Sequence, residues 1–198
     1  MQLARRANDT RRTARQHRSR QTVDAVLDAV TLVLKRHGPG AVTTNRIAVA
    51  AGVSIGSLYQ YFPDKQSIYR ALHERHVGEV REVIDRTLVE YAALPIEDFT
   101  AALVQGLIDV HAADPELHRL VTALVPEGPS EFRVALQKTF ERVPSVSDVE
   151  TKQRLFVLPD LIESLVHALA DRHPLISLAS AKEAAVRAVR AFLDAGSR

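Results

Sequence analysis

Apolar residues recur at three- and four-residue spacing through almost the whole chain, a pattern that predicts amphipathic helices in series. Val23, Val26, Leu27, Val30, Val33 and Leu34 draw one stripe over 21–37, which Gly38, Pro39 and Gly40 end; Leu32 falls off that stripe. A short helix follows, capped by the hydroxyl of Thr43 or Thr44, with Ile47, Ala48 and Ala51 on one face. Gly52 stops it, because glycine takes the left-handed conformation after a helix end without steric cost. Ser54 caps a second short helix whose Leu58 and Phe62, four apart, point back into the first, and Pro63 ends it.

Asp64 caps a long third segment, with Ile68, Leu72, Val80, Val83, Ile84 and Leu88 at near-helical spacing among many charges. It reads as the connector between two halves, long enough for one helix to touch both. After the break at Leu94 and Pro95, residues 96–113 carry Phe99, Leu103, Leu107, Val110 and His111 toward one face. Asp114 and Pro115 start another helix, as cap and first residue, bearing Leu117, Leu120, Val121, Leu124 and Val125. Residues 126–130 read as a loop. Phe132, Leu136 and Phe140 mark a helix to 143, and 144–147 is the next break. Two helices close the chain, about 149–171 and 177–195. The first holds more apolar side chains than one buried stripe needs and has Pro159 as an expected kink; the second offers Ala184, Ala185, Ala188, Val189 and Phe192. No alternation of the kind strands need is present, so the expected fold is all-α with about nine helices.

The outward face of the second short helix is Ile55, Gly56, Ser57, Tyr59, Gln60 and Tyr61: small, polar and aromatic, without an acid. Two short helices across a glycine turn form a helix-turn-helix, which sets the start of its second helix against base edges in the major groove. Lys65 and the tyrosine hydroxyls then lie where phosphates would run. Charge sharpens this picture. The net charge of +2 is the remainder of an asymmetry: residues 1–70 hold 12 Lys and Arg against 4 Asp and Glu, a balance of +8, and residues 71–198 hold 14 against 20, a balance of −6. A basic end bearing a helix-turn-helix is the footprint of a polyanion binder. Seven arginines within 1–20 (Arg5, Arg6, Arg11, Arg12, Arg15, Arg18 and Arg20), with little apolar periodicity, read as a flexible arm that either follows phosphates or is simply solvated.

The run TT..IA..AGVS.GSLY.YF..K resembles the DNA-binding domain of TetR/AcrR-type transcriptional regulators, and the likeness covers 21–72, with the helix-turn-helix at 43–62. The resemblance implies that Thr44 and Asn45 open the positioning helix, that Ile55, Gly56, Ser57, Tyr59 and Gln60 face the bases, and that Tyr61 and Lys65 hold the backbone. Position 45 is often basic in relatives and is Asn here; Ile55 is apolar where a polar base reader is common. For 73–198 the resemblance implies an effector-binding and dimerisation domain. A small, largely apolar effector would sit among Phe99, Leu103, Leu107, His111, Leu120, Leu124, Phe132, Leu136, Phe140 and Phe156. The last two helices would pair with their copies through Leu158, Ile162, Leu165, Leu169, Ala185, Val189 and Phe192. A homodimer also suits a palindromic operator in double-stranded DNA, with half-sites about one helical turn or a multiple apart.

Other chemistries were weighed against these residues. Gly52-Val53-Ser54-Ile55-Gly56 matches the G-x-S-x-G nucleophile elbow, but that motif needs a strand before its serine, and here a helix precedes it. An enzyme is therefore not expected, nor a cofactor. His73 and His76, three apart, and the pair His111 and His118 invite a metal, yet a zinc site needs three or four ligands and the sequence nominates no others, so no metal is expected. His73 and His76 read as solvated. His111 reads either as a satisfied core histidine or as a polar group in a pocket. Absent cysteine excludes disulfides, and no apolar run approaches a membrane span. Without an apolar leader in the first residues, a cytoplasmic address is expected. The overall expectation is a repressor released from DNA by its effector. The alternative is a constitutive DNA-binding protein whose C-terminal domain only dimerises.

Overall fold

The computed structural model describes residues 2–124, 131–143, 149–170 and 176–194; for 2–15, 121, 122, 124, 131, 149–152, 154, 155 and 170 it describes the backbone alone. Among the described residues the chain is all-α, with nine α-helices and one 3-10 turn and no strand. The helices are α1 (Gln2–His37), α2 (Thr44–Ala51), α3 (Ile55–Tyr61), α4 (Lys65–Tyr91), α5 (Ile96–Ala113), α6 (Pro115–Leu124), α7 (Glu131–Phe140), α8 (Val149–Ala170) and α9 (Leu178–Asp194). The loops expected at 126–130 and 144–147, and the side chains of Val121, Leu124, Val125 and Leu155, lie outside the described residues. Two compact units divide at His73 and Glu74, a point inside α4.

The helix expected from residue 21 begins at Gln2, so the arginine-rich arm has helical backbone. Apolar periodicity was the wrong guide there. Arginine, alanine and glutamine are good helix formers, and no glycine or proline interrupts residues 2–37. α8 likewise runs through Pro159 as one helix.

In the first unit, α1 supplies Val26, Leu27, Ala29, Val30, Val33 and Leu34 to a core completed by Ile47, Ala48, Leu58, Phe62, Ile68, Tyr69 and Leu72, all buried. The stripe read from the sequence is thus the stripe that packs, and Leu32 stands partly exposed beside it.

The second unit is organised around α5. Phe99, Leu103, Val104, Leu107 and Ile108 are fully buried, so α5 is covered on more than one face, with α8 and α9 packed against it. Leu136, Phe140, Leu158, Ile162, Val166, Ala185 and Val189 complete that core. Caps set the ends: the Asp114 carboxylate accepts from the Leu117 backbone N–H at 3.1 Å, as the Asp-Pro start predicts. Ion pairs fix register on the surface, Lys182 with Asp109 at 2.6 Å and Arg190 with Asp98 at 2.9 Å joining α9 to α5, and Arg133 with Asp160 joining α7 to α8. Each is partly solvated and contributes little energy of its own.

One close approach tests this packing. A Cβ built on Gly106 of α5 would lie 2.7 Å from Val83 Cγ1 of α4, and valine is both buried and stiff at χ1. Gly106→Ala should lower the stability of the second unit by about 1–3 kcal/mol through overpacking. Chemical denaturation checks this; an unchanged midpoint would show that the helices separate freely there.

Candidate DNA interface and the buried histidines

The helix-turn-helix is built from four short-range devices. The Thr43 hydroxyl accepts from the Arg46 N–H at 3.3 Å and caps α2. Gly52 sits at φ 67° and ψ 27°, left-handed, its N–H turned back to the Ala48 and Val49 carbonyls, while the Val53 N–H reaches the Ala48 carbonyl at 3.0 Å. Two orphan carbonyls at the end of α2 are thereby satisfied. The Ser54 hydroxyl then accepts from the Ser57 N–H at 3.0 Å and opens α3. Finally Asp64 and Ser67 bond reciprocally at the start of α4: the Ser67 N–H donates to the Asp64 carboxylate at 2.6 Å and the Asp64 N–H to the Ser67 hydroxyl at 3.3 Å.

Leu58 of α3 is fully buried, and this fixes what faces out. Ile55, Gly56, Tyr59, Gln60 and Tyr61 are exposed, and Ser57 is half-buried behind them. Thr44 Oγ1 lies 3.4 Å from the Tyr59 hydroxyl, so the start of α2 meets the outer face of α3. Asn45 is exposed on α2. Lys65 holds its ammonium 5.1 Å from the centre of the buried Tyr69 ring. The nominated residues therefore share a continuous surface without an acid among them. Arg46, not nominated from the sequence, is exposed on α2 beside Asn45 and adds a cation. The G-x-S-x-G match falls on this turn, with Ser54 occupied as a helix cap and a helix, not a strand, before it.

Comparison with known proteins agrees with this geometry. Residues 26–72 match the family model for bacterial regulatory proteins of the tetR family. Residues 26–72 are thus a TetR-family DNA-binding domain. It is 35% identical over 120 residues to the nucleoid occlusion factor SlmA of Haemophilus ducreyi, an alignment that takes in 57% of this chain and 55% of SlmA. The chain thus spans about half the length of the curated relatives it matches. The fold is shared with a Mesorhizobium loti protein assigned to TetR-family transcriptional regulators, at TM-score 0.66 and 18% identity over 90% of this chain and 98% of that one. It is shared also with the TetR-like transcriptional regulator LfrR of Mycobacterium smegmatis, solved with proflavine, at TM-score 0.53 and 22% identity over 89% and 96%. No described helix is long and apolar enough to cross a membrane.

The second unit treats the nominated residues differently. Of the ten effector-pocket residues, Phe99, Leu103, Leu107, Leu136 and Phe140 are fully buried core, with the Phe99 and Phe140 rings edge to face at 6.0 Å. Leu120 and Phe132 are half-buried, and the Leu124 side chain is outside the described residues. Phe156 is a correction: it is 61% exposed, covered on one side by the Arg133 guanidinium at 5.8 Å. The dimer stripe needs correction as well. Leu158, Ile162, Ala185 and Val189 are at most 2% exposed within the single chain, so a partner has nothing left there to bury. Leu165, Leu169 and Phe192 are half-buried against the same core. The sequence showed a surplus of apolar residues on α8 and α9 but not which face α5 would take.

Sequence reasoning also missed a cluster. His111 lies edge to face with His118 at 4.7 Å and His76 at 4.9 Å, with His167 at 5.5 Å and Phe132 at 5.7 Å. His76 is no solvated histidine: its side chain is 16% exposed, with the Glu79 carboxylate 3.7 Å from its Nδ1. His111 Nδ1 is 2.7 Å from the Leu107 carbonyl, which can only accept, so this nitrogen carries the proton. Burial above all, aided by the neighbouring histidines and opposed by that hydrogen bond, pushes the His111 imidazole down to about 3, and the ring is neutral. No sequence spacing announces this group, because its members come from α4, α5, α6 and α8.

The turn yields its own prediction. Gly52→Ala forces a Cβ into the left-handed region at a cost of about 1–2 kcal/mol, and Ser54→Ala removes a cap worth about 1 kcal/mol. Both should lower the melting temperature of the first unit; a variant melting with the wild type would remove its device from the account.

Proposed function

We propose that the chain is a homodimeric repressor that binds a palindromic operator in cytoplasmic DNA through paired α2–α3 heads and leaves it when a small effector occupies the second unit. The observation that carries the DNA-binding part is the acid-free face of α3, with Tyr59 48% exposed and Ile55, Gln60 and Tyr61 beside it, held by Gly52 and Ser54. In this reading Ile55, Gly56, Ser57, Tyr59 and Gln60 meet base edges, while Thr44, Asn45, Tyr61 and Lys65 hold phosphates. The homodimer finds support in apolar and small side chains left outside the core: Phe156 and Val157 on α8, and Ala184, Ala188 and Ala191 on α9. Residues with small side chains let helices approach closely.

Release requires the effector to bind one conformation better than the other; a ~100-fold preference corresponds to about 2.7 kcal/mol. The proflavine held by the LfrR structure supports an effector of this kind. A second reading, constitutive DNA binding with a second unit that only dimerises, is favoured by the SlmA likeness, since that relative is named for nucleoid occlusion.

Three outcomes test what both readings share, DNA binding through α3 and a homodimer. Tyr61→Ala and Lys65→Ala should each weaken binding to every DNA sequence, and Lys65→Ala alone should reduce the slope of log affinity against log salt by about 1, since only the lysine displaces a counterion, whereas Gln60→Ala should change sequence preference at a cost of about 1–3 kcal/mol on the preferred site. Equal loss on all sequences for Gln60→Ala would refute base reading. Ala188→Glu, at an exposed position, should leave the chain folded and convert it to monomers in sedimentation; a persistent dimer would move the interface elsewhere.

A further inference from the structure

We infer that His76, His111 and His118, with His167 as a fourth donor, form a binding site in the second unit for a divalent transition metal ion of the zinc class. The first three each offer a ring nitrogen, and these atoms lie within 4.8 Å of one another. Nitrogens bound at ~2.0–2.1 Å to one tetrahedral ion stand about 3.4 Å apart. Closing the cluster on an ion therefore takes shifts of about 1 Å, within the reach of small rotations about the side-chain bonds. His167, with its ring centre 5.1 Å from that of His118 and 5.5 Å from that of His111, stands just outside this trio of close nitrogens and would supply the fourth ligand of a closed tetrahedral site after a further rotation.

Three features favour a metal over plain packing. The donors come from four helices, α4, α5, α6 and α8, so an ion would join elements that otherwise meet only through side chains. His111 and His118 are buried, so an ion held by them would be shielded from bulk water. The supporting contacts also have the form that metal-bound imidazoles use. His111 donates Nδ1–H to the Leu107 carbonyl, which leaves Nε2 with the lone pair, and the Glu79 carboxylate stands beside His76 Nδ1. The flanking Phe132 ring, stacked at 5.8 Å on His167, limits water at one side.

The donor set selects the ion. Only imidazole nitrogens are gathered here, and the chain has no cysteine. Imidazole suits zinc, copper(II), nickel and cobalt, whereas calcium and magnesium demand oxygen ligands. Zinc binding by these histidines is independent of whether the first unit reads an operator, so the two readings fail separately.

The test uses the full chain after dialysis against a chelator. Zinc is titrated in competition with a chromophoric chelator, and cobalt(II) serves as the spectroscopic probe. One zinc per chain and a visible cobalt d–d spectrum of tetrahedral intensity are expected. His118→Gln should weaken zinc by roughly 100-fold or more, at least what loss of an outer-sphere partner costs, while His37→Gln and His73→Gln should bind as the wild type does. Wild-type protein that takes up no stoichiometric zinc overturns the site, as does His118→Gln binding as tightly as wild type. If His118→Gln fails to fold by circular dichroism, the wild-type stoichiometry and cobalt spectrum decide alone.

Discussion

Residue 52 must adopt a positive φ, and the DNA-facing surface of the first unit follows from that requirement. A left-handed residue reverses the chain within two residues, so that α3 begins at once at an angle to α2. With the turn set, the Ser54 cap fixes where α3 starts, and burial of Leu58 fixes its rotation. Nothing then remains free in the placement of Ile55, Tyr59, Gln60 and Tyr61. A seven-residue helix has little stability alone. It is held by its cap, by Leu58 in the core and by the Phe62 N–H returning to the Leu58 carbonyl at 2.9 Å.

The second unit is governed by a different constraint, the burial of α5 on more than one face. A helix covered in that way needs apolar residues nearly all round, and Phe99 through Ile108 supply them. One turn later the pattern changes to a buried His111. That change is local: Phe99 meets the phenyl ring of Phe140, whereas His111 meets three imidazoles and one phenyl ring, that of Phe132. Desolvation holds the His111 ring neutral, so its Nε2 carries a lone pair rather than a proton.

The legibility of these two units in the sequence differed for physical reasons. The helix-turn-helix is local, each device acting within a few residues, and so Gly52, Ser54 and Asp64 could be assigned their tasks from spacing, while the cap of α2 was narrowed to Thr43 or Thr44, of which the structure has Thr43. The stripes on α1 and α5 were legible for the same reason. What periodicity cannot give is the partner of a stripe. Leu158, Ile162, Ala185 and Val189 have the spacing of an interface, and they make one, but with α5 of their own chain. Phe156, one step away on α8, faces outward. The arginine-rich arm, with little apolar periodicity, read only as a flexible arm, and its helical backbone follows from intrinsic propensity. The sequence singled out His76, His111 and His118 but neither their meeting nor His167, because that proximity is tertiary and spans four helices.

The same division governs how far kinship reaches. The family match covers residues 26–72, where the side chains perform identifiable tasks in capping, turning and packing. For the rest of the chain the structural relatives are 22% identical or less among the LfrR and Mesorhizobium loti proteins, which carries the fold and no more. Helix packing tolerates wholesale exchange of apolar residues while volume and pattern persist. A shared bundle therefore says little about what its interior accepts. The chemistry of this second unit has to be taken from its own side chains, and four imidazoles gathered beside an apolar core are the feature most unlike generic packing.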